Sequence, residues 1–427
     1  MEIATIYNYF LQTTGIATDN RKINTDNLFV ALKGDNFNGN KFALSAIENG
    51  AKYAIIDEVE YKTDDRFILV EDSLTALQQL ASYHRNQLNI TIIGLTGSNG
   101  KTTTKELINA VLSQKFNTKA TIGNLNNHIG VPLTLLSFDS TTEIGIVEMG
   151  ANHQKEIEML CEICQPDFGY ITNFGKAHLE GFGGTEGVIK GKSELYQYLS
   201  ANNKTAFVNT DDTIQNEKTT NINRITFGLN NPENFVNITK IETNPMVKIE
   251  FENTTIQSHL IGLYNANNIN AAITIGKHFG VSNEKIKFGL ENYIPNNNRS
   301  QLLEKNSNKI ILDAYNANPS SMNAALTNFF QLEEKNKVAI LGDMFELGVE
   351  SSYEHKKLIE FCFNQENIIF HFIGKDFFAH KNSNSNMNFH ETFENFKSVF
   401  SSKKTENSFL LIKGSRGMSL ERTLEII

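Results

Sequence analysis

Short apolar runs bounded by turn formers recur along the chain, and their spacing divides it into three blocks. In the first, about residues 1–84, runs at 28–32, 53–56 and 67–70 alternate with polar turns such as Lys33-Gly34-Asp35-Asn36. That predicts a small α/β unit. From residue 90 to about 292, runs at 90–95, 144–148, 168–172, 205–208 and 224–227 are separated by amphipathic stretches. This rhythm predicts βαβ units around a mostly parallel sheet. Within the same block, 247–251 and 255–260 alternate with a period of two, as antiparallel strands do. Tyr293-Ile294-Pro295-Asn296-Asn297-Asn298 joins a proline to turn formers and reads as a linker. After it, runs at 309–312, 337–341, 368–373 and 409–412 predict another doubly wound sheet. Residues 381–388 are rich in Asn and Ser and are expected to form a surface loop. The expected domains are 1–84, 85–297 and 298–427, and the fold class is α/β.

Charge and composition narrow the function. With 39 Lys and Arg against 48 Asp and Glu, the net charge is −9, which excludes a general basic surface for nucleic acid but allows a local phosphate pocket. No apolar run approaches the ~18 residues of a membrane span. The first residues, MEIATIYNYF, lack the basic start and cleavage site of a signal peptide. Three cysteines in 427 residues make no disulfide framework, as expected of a cytoplasmic protein.

The strongest chemical signal is residues 90–105, ITIIGLTGSNGKTTTK. A strand runs into Gly97-Ser98-Asn99-Gly100-Lys101-Thr102-Thr103, and a helix is expected from about Thr102. Glycines let backbone N–H groups wrap phosphate oxygens at a helix N-terminus. Lys101, expected to stand exposed at the loop tip, would reach the β- and γ-phosphates, and the Thr102 hydroxyl would ligate Mg²⁺. The spacing departs from the general P-loop, because Leu95 stands where a glycine is usual. Glu148 ends the run 144–147 and is a candidate acidic partner for that metal. The stretch 172–184 follows another strand and carries His178 and Glu180 to the same sheet edge. Residues 185–198 read as one helix bearing Lys190, Lys192 and Glu194. Cys161 and Cys164 form C-x-x-C, but they share a helical stripe with Ile157, Leu160 and Ile163 and lack a second ligand pair. They are expected in the core.

Together these segments resemble the Mur ligase superfamily, ATP-dependent enzymes that form amide bonds in peptidoglycan precursors. The T-G-x-x-G-K-T-T loop at 96–103 is that family's variant P-loop. GNLNNHIGVPLTLL at 123–136, DAYNANPSSM at 313–322 and LGDMFELG at 341–348 resemble the branch that joins D-alanyl-D-alanine to UDP-N-acetylmuramoyl-tripeptide. Residues 18–22 and 28–32, with Asp19 and Arg21, resemble its uridine-nucleotide domain. Ala314 stands where the family often has Ser, and 375–405 carries no resemblance.

The resemblance implies a central P-loop ATPase-like parallel sheet and a C-terminal Rossmann-like domain. It also implies roles. Lys101, Glu148, His178 and Lys192 would be catalytic, with Thr102, Glu148, His178 and a carbamoylated Lys192 at the metal. Asn265 and Asn268 would contact adenine, and Arg299 and Asp313 the interdomain ATP site. Asn126 and Asn127 would contact the muramoyl peptide. Asn316, Asn318, Asp343 and Arg416, near predicted strand ends of the last domain, would serve D-alanyl-D-alanine. The expected enzyme is a monomer that forms an acyl phosphate. The alternatives are another Mur-type amino-acid ligase, a folylpolyglutamate synthetase, or a P-loop nucleotide switch without amide-bond chemistry.

Overall fold

In the strand Thr91–Thr96, successive side chains enter opposite layers: Ile92 packs in one buried cluster and Ile93 in another. The same division separates Ile146 from Val147, Tyr170 from Ile171, and Phe207 from Val208. Strands apolar on both faces belong in a parallel sheet covered by helices on each side. The structure is a computed structural model and describes residues 2–296, 298–401 and 406–427; Asn297 of the expected linker and the end of the unassigned 375–405 segment lie outside them.

Among the described residues there are sheets of four, nine and six strands and a small hairpin. The four-stranded sheet is parallel and runs Ile16–Ala17, Leu28–Val30, Tyr53–Ile56, Phe67–Leu69. The nine-stranded sheet has Thr91–Thr96 between Phe168–Ile171 and Ile144–Glu148, with Leu95 opposite Glu148 and Thr96 opposite Ile171. Beyond Phe168–Ile171 it continues in parallel through Val236–Thr243 and ends in two antiparallel strands, Met246–Phe251 and Thr254–Ile261. Helices Lys101–Leu112 and Tyr264–His278 cover one face, and Glu156–Cys164 and Glu194–Ala201 the other.

The six-stranded sheet places Phe409–Lys413 between Asn308–Asp313 and Lys337–Gly342, all parallel. Its edge strand Gln301–Lys305 is antiparallel and was not expected from the sequence. Residues 381–386 form the expected exposed loop, but its last two residues belong to the other edge strand, Met387–His390, which pairs in parallel with Ile368–Ile373, with Phe389 stacked on Phe372. A second correction falls at 185–198, where Ser193 separates Thr185–Lys192 from Glu194–Ala201. The break turns Glu194 inward, and its carboxylate accepts from the N–H groups of Lys155 and Glu158 at the start of the helix Glu156–Cys164. Cys161 and Cys164 lie in the core against Met149 Sδ, at 3.9 and 3.7 Å. Burial pushes the Cys164 thiol up to about 12.

Asp167 ties the helix Ser73–Gln87 to the large sheet. Its carboxylate accepts from Arg85 at 2.8 Å, from the Ile92 N–H at 3.0 Å and from Lys204 at 2.7 Å. Asp167→Ala should therefore cost about 1–3 kcal/mol. Differential scanning calorimetry should show a Tm lower by roughly 2–4 °C for each of them. An unchanged Tm would show that these contacts add nothing.

Candidate active site

The strand Thr91–Thr96 ends in the middle of the sheet edge, and the loop that follows enters the helix Lys101–Leu112 through Gly100. Gly97 has φ +142°, and a Cβ there would lie 2.0 Å from Thr172 Oγ1. Gly100 has φ +78° and abuts the Asn268 carboxamide. Only glycine meets both demands of backbone and space. Lys101 is not an exposed loop-tip residue as expected. It is the first helical residue, half-buried, and its Nζ donates to the Gly97 carbonyl at 2.7 Å. Burial pulls its pKa down, against the attraction of Glu148.

Glu148, at the end of the adjacent strand, is 1% exposed. Its carboxylate accepts from Thr102 Oγ1 at 2.9 Å and from Asn126 Nδ2 at 2.8 Å. Both partners are neutral. A buried carboxylate held by two neutral donors keeps an uncancelled charge in the site, with Lys101 close by, and such a donor set suits a hard divalent cation. Asn127 spends its side-chain oxygen on the N–H groups of Ile129 and Gly130, ordering the turn beside it.

His178 adopts a left-handed backbone, φ 53°, and its Nδ1 lies 2.5 Å from the carboxylate of Glu346, in the last domain. Lys192 is wholly buried; its Nζ donates to the Ala151 carbonyl at 3.0 Å and lies 4.9 Å from the centre of the Phe182 ring. Burial, and then the charge of Lys101, hold its pKa well below the usual lysine range. On the far side of the loop, Asn265 and Asn268 are buried in the first turns of the helix Tyr264–His278. Asn268 donates to Asn265 Oδ1 at 2.9 Å and accepts from Thr104 at 3.0 Å.

The last domain closes the other wall. Asp313 receives Lys413 Nζ at 2.6 Å, and the same ammonium reaches the Asn316 carbonyl at 3.2 Å. The Arg299 guanidinium stacks on Tyr315, 3.7 Å from the ring centre. A cavity of about 790 Å³ is lined by residues 98–103, Asn126, Asn127, Glu148, His178, Asn265, Asn268, Arg299, Asp313 and Asn316.

Other expected site residues stand elsewhere. Asp19 and Arg21 form an exposed bidentate pair with each other in the first domain. Asp343 is buried and accepts from the N–H groups of Asp376 and Phe377, so its carboxylate caps a helical turn. It forms, with His355 and Asp376, the one group of three potential metal ligands among the described residues. Those atoms are already engaged, His355 Nε2 accepting from the Met344 N–H. Asn318 caps the helix Pro319–Gln331 and donates its amide nitrogen to Asn99 Oδ1 at 2.7 Å. Arg416 is exposed, pairs with Glu421 at 2.8 Å and lies 5.9 Å from the Tyr315 ring, beside the cavity. Sequence reasoning did not single out Glu346, Tyr315 or Lys413. Each lies within or just beyond a segment it did single out, but their partners are distant in the chain.

Three family models match in succession: "Mur ligase family, catalytic domain" over 12–85, "Mur ligase middle domain" over 95–276 and "Mur ligase, glutamate ligase domain" over 298–416. The UDP-N-acetylmuramoyl-tripeptide–D-alanyl-D-alanine ligase of Bacillus subtilis is 37% identical over 80% of this chain and 76% of its own. MurF from Acinetobacter baumannii superposes with a TM-score of 0.88 at 30% identity, covering 99% of this chain and 97% of that one. MurF from Thermotoga maritima, solved with ADP, gives 0.84 at 28% identity, covering 98% and 97%. With three domain matches in order and similarity over nearly its full length, the chain belongs to the Mur ligase family and groups with MurF.

Proposed function

We propose that the chain is the ATP-dependent ligase that joins D-alanyl-D-alanine to UDP-N-acetylmuramoyl-tripeptide, working as a cytoplasmic monomer. The observation that carries this reading is the single cavity in which the phosphate-type loop of one sheet faces Arg299, Asp313 and Asn316 of another. On this reading, residues 1–84 hold the uridine nucleotide with Asp19 and Arg21, 85–297 hold ATP, and 298–427 hold the dipeptide. No helix among the described residues is long and apolar enough to cross a membrane, and the three cysteines are free and buried.

The chemistry follows from charge. A carboxylate of the tripeptide must attack the γ-phosphorus of ATP, releasing ADP and leaving an acyl phosphate. The dipeptide's amine then attacks the carbonyl carbon, and phosphate leaves as the tetrahedral intermediate collapses. N–H groups of the loop 97–103, the helix N-terminus and Lys101 gather the triphosphate. Asn265 and Asn268 orient the adenine, and Asp313 the ribose. Asn126 and Asn127 hold the peptide acceptor near Glu148. Thr102, Glu148, His178 and Lys192 as its carbamate would hold Mg²⁺, which supplies charge neutralisation between phosphate and carboxylate. Asn316 and Arg416 serve the dipeptide, Arg416 exchanging Glu421 for its free carboxylate.

Phosphate release over a matrix of nucleotide-linked acceptors and amines tests the function. Release should require the muramoyl-tripeptide and D-alanyl-D-alanine together; release with single amino acids instead would overturn the assignment. Glu148→Gln keeps the shape and the contact with Thr102 but removes the charge. It should raise the Mg²⁺ needed for half-maximal rate by at least about ten-fold, the scale on which disturbed metal ligation acts, with acceptor binding by calorimetry little changed. An unaltered Mg²⁺ dependence would leave Glu148 as a buried structural carboxylate.

Burial lowers the pKa of Lys192 and so favours the neutral amine, which would react with CO₂ by forming an N–C bond and releasing one proton to give the carbamate. ¹³C-bicarbonate should therefore label the wild type with a carbamate resonance that is missing in Lys192→Met. A labelled Lys192→Met protein, or an unlabelled wild type, would end that assignment.

A further inference from the structure

Asn99 is gripped by two domains at the tip of the phosphate-type loop. Its N–H donates to Asn173 Oδ1 at 3.1 Å, and its carbonyl accepts from Thr172 Oγ1 at 2.6 Å and Asn173 Nδ2 at 3.0 Å. Those three contacts stay within the central sheet. Its side-chain oxygen accepts instead from Asn318 Nδ2, 2.7 Å away in the last domain. Asn318 is buried, and its own oxygen accepts from the Ser321 N–H at 2.9 Å as the cap of the helix Pro319–Gln331. One carboxamide thus ends a helix with its oxygen and holds the loop with its nitrogen.

The surroundings make this contact a test of docking. Ser320 Oγ, next along that helix, accepts from the Lys176 N–H at 2.8 Å, and the Lys176 ammonium reaches the buried Glu354 carboxylate at 2.5 Å. Gly175 lies in the seam: a Cβ there would sit 2.9 Å from Asn99 Nδ2 and 3.1 Å from Ser320 Cβ. Only glycine at 175 lets the two domains meet this closely around Asn99. The Asn99–Asn318 bond exists only when the two domains are seated against each other.

We infer that Asn318 is a positioning residue: through Asn99 it makes the conformation of the phosphate-type loop depend on docking of the last domain. This goes beyond the proposed function and rests on its placement of ATP and the amine in those two domains. Linkage makes the dependence reciprocal, so triphosphate in the loop favours docking as much as docking favours triphosphate. The consequence is chemical. An acyl phosphate made in an undocked enzyme meets water before it meets the amine, whereas a loop completed by docking confines phosphoryl transfer to the closed form.

Asn318→Ser separates the two jobs of this side chain. Serine caps a helix about as well as asparagine and carries no charge, but it has no amide nitrogen to offer Asn99. The expected variant melts within a few degrees of the wild type, yet its KM for ATP rises about five- to ten-fold, the scale of one lost hydrogen bond. Asn99→Ala should have a similar effect, and the double variant should be no worse than the poorer single one, since both remove the same bond. Small-angle scattering with a non-hydrolysable ATP analogue and Mg²⁺ should contract the wild type and leave Asn318→Ser unchanged. A wild-type KM for ATP in Asn318→Ser, additive losses in the double variant, or equal contraction of both proteins would each overturn the coupling. Absence of tripeptide- and dipeptide-dependent phosphate release from the wild type would instead overturn the functional reading beneath it.

Discussion

Like charges must be brought together in a space that water cannot enter freely. Glu148 is a buried carboxylate beside a loop shaped for phosphate, and two unit charges 4 Å apart interact by about 4 kcal/mol at an effective dielectric of 20. The arrangement around it answers that repulsion at every level. The strand order puts Glu148 directly beside the P-loop strand, and the helix that follows points its N-terminus at the same place. Lys101 stands on the other side of the loop start, while Thr102 and Asn126 orient the carboxylate without neutralising it.

The same constraint explains why the site lies between domains. A single parallel sheet offers one edge of strand ends, where Thr96, Glu148 and Thr172 already stand side by side. The six-stranded sheet adds a second edge to the cavity, with Asp313 and Lys413 at neighbouring strand ends. Contacts across the seam are polar and specific, as at Asn99–Asn318, Lys176–Glu354 and His178–Glu346. Polar seams of this kind suit surfaces that part and meet again, because each group can be satisfied by water when open.

Much of this was legible in the chain. Strands apolar on both faces announce themselves as continuous runs, so the strands around the P-loop were found within a residue or two. Gly97, Gly100, Lys101 and Thr102 were legible because a phosphate-type loop is local: seven consecutive residues contain its geometry. The helical stripe through Cys161 and Cys164 was likewise local, and its burial followed. Short or polar elements escaped. Met387–His390 is four residues long and half polar, and pairing with Ile368–Ile373 makes it a strand. The break at Ser193 follows no local signal, since Glu194 is drawn to a helix start some forty residues earlier.

By itself, then, the sequence determined the sheets' buried strands, the phosphate-type loop and the family resemblance, all carried by neighbouring residues. Which distant groups answer one another was decided by tertiary structure. Asp343 caps a turn, Arg416 pairs with Glu421, and Asn318 faces Asn99 across 219 residues of chain. A side chain's type and position in its motif say what it can bond. Its partner depends on which strand ends and helix starts the whole fold brings within 3 Å, and no local pattern contains that distance.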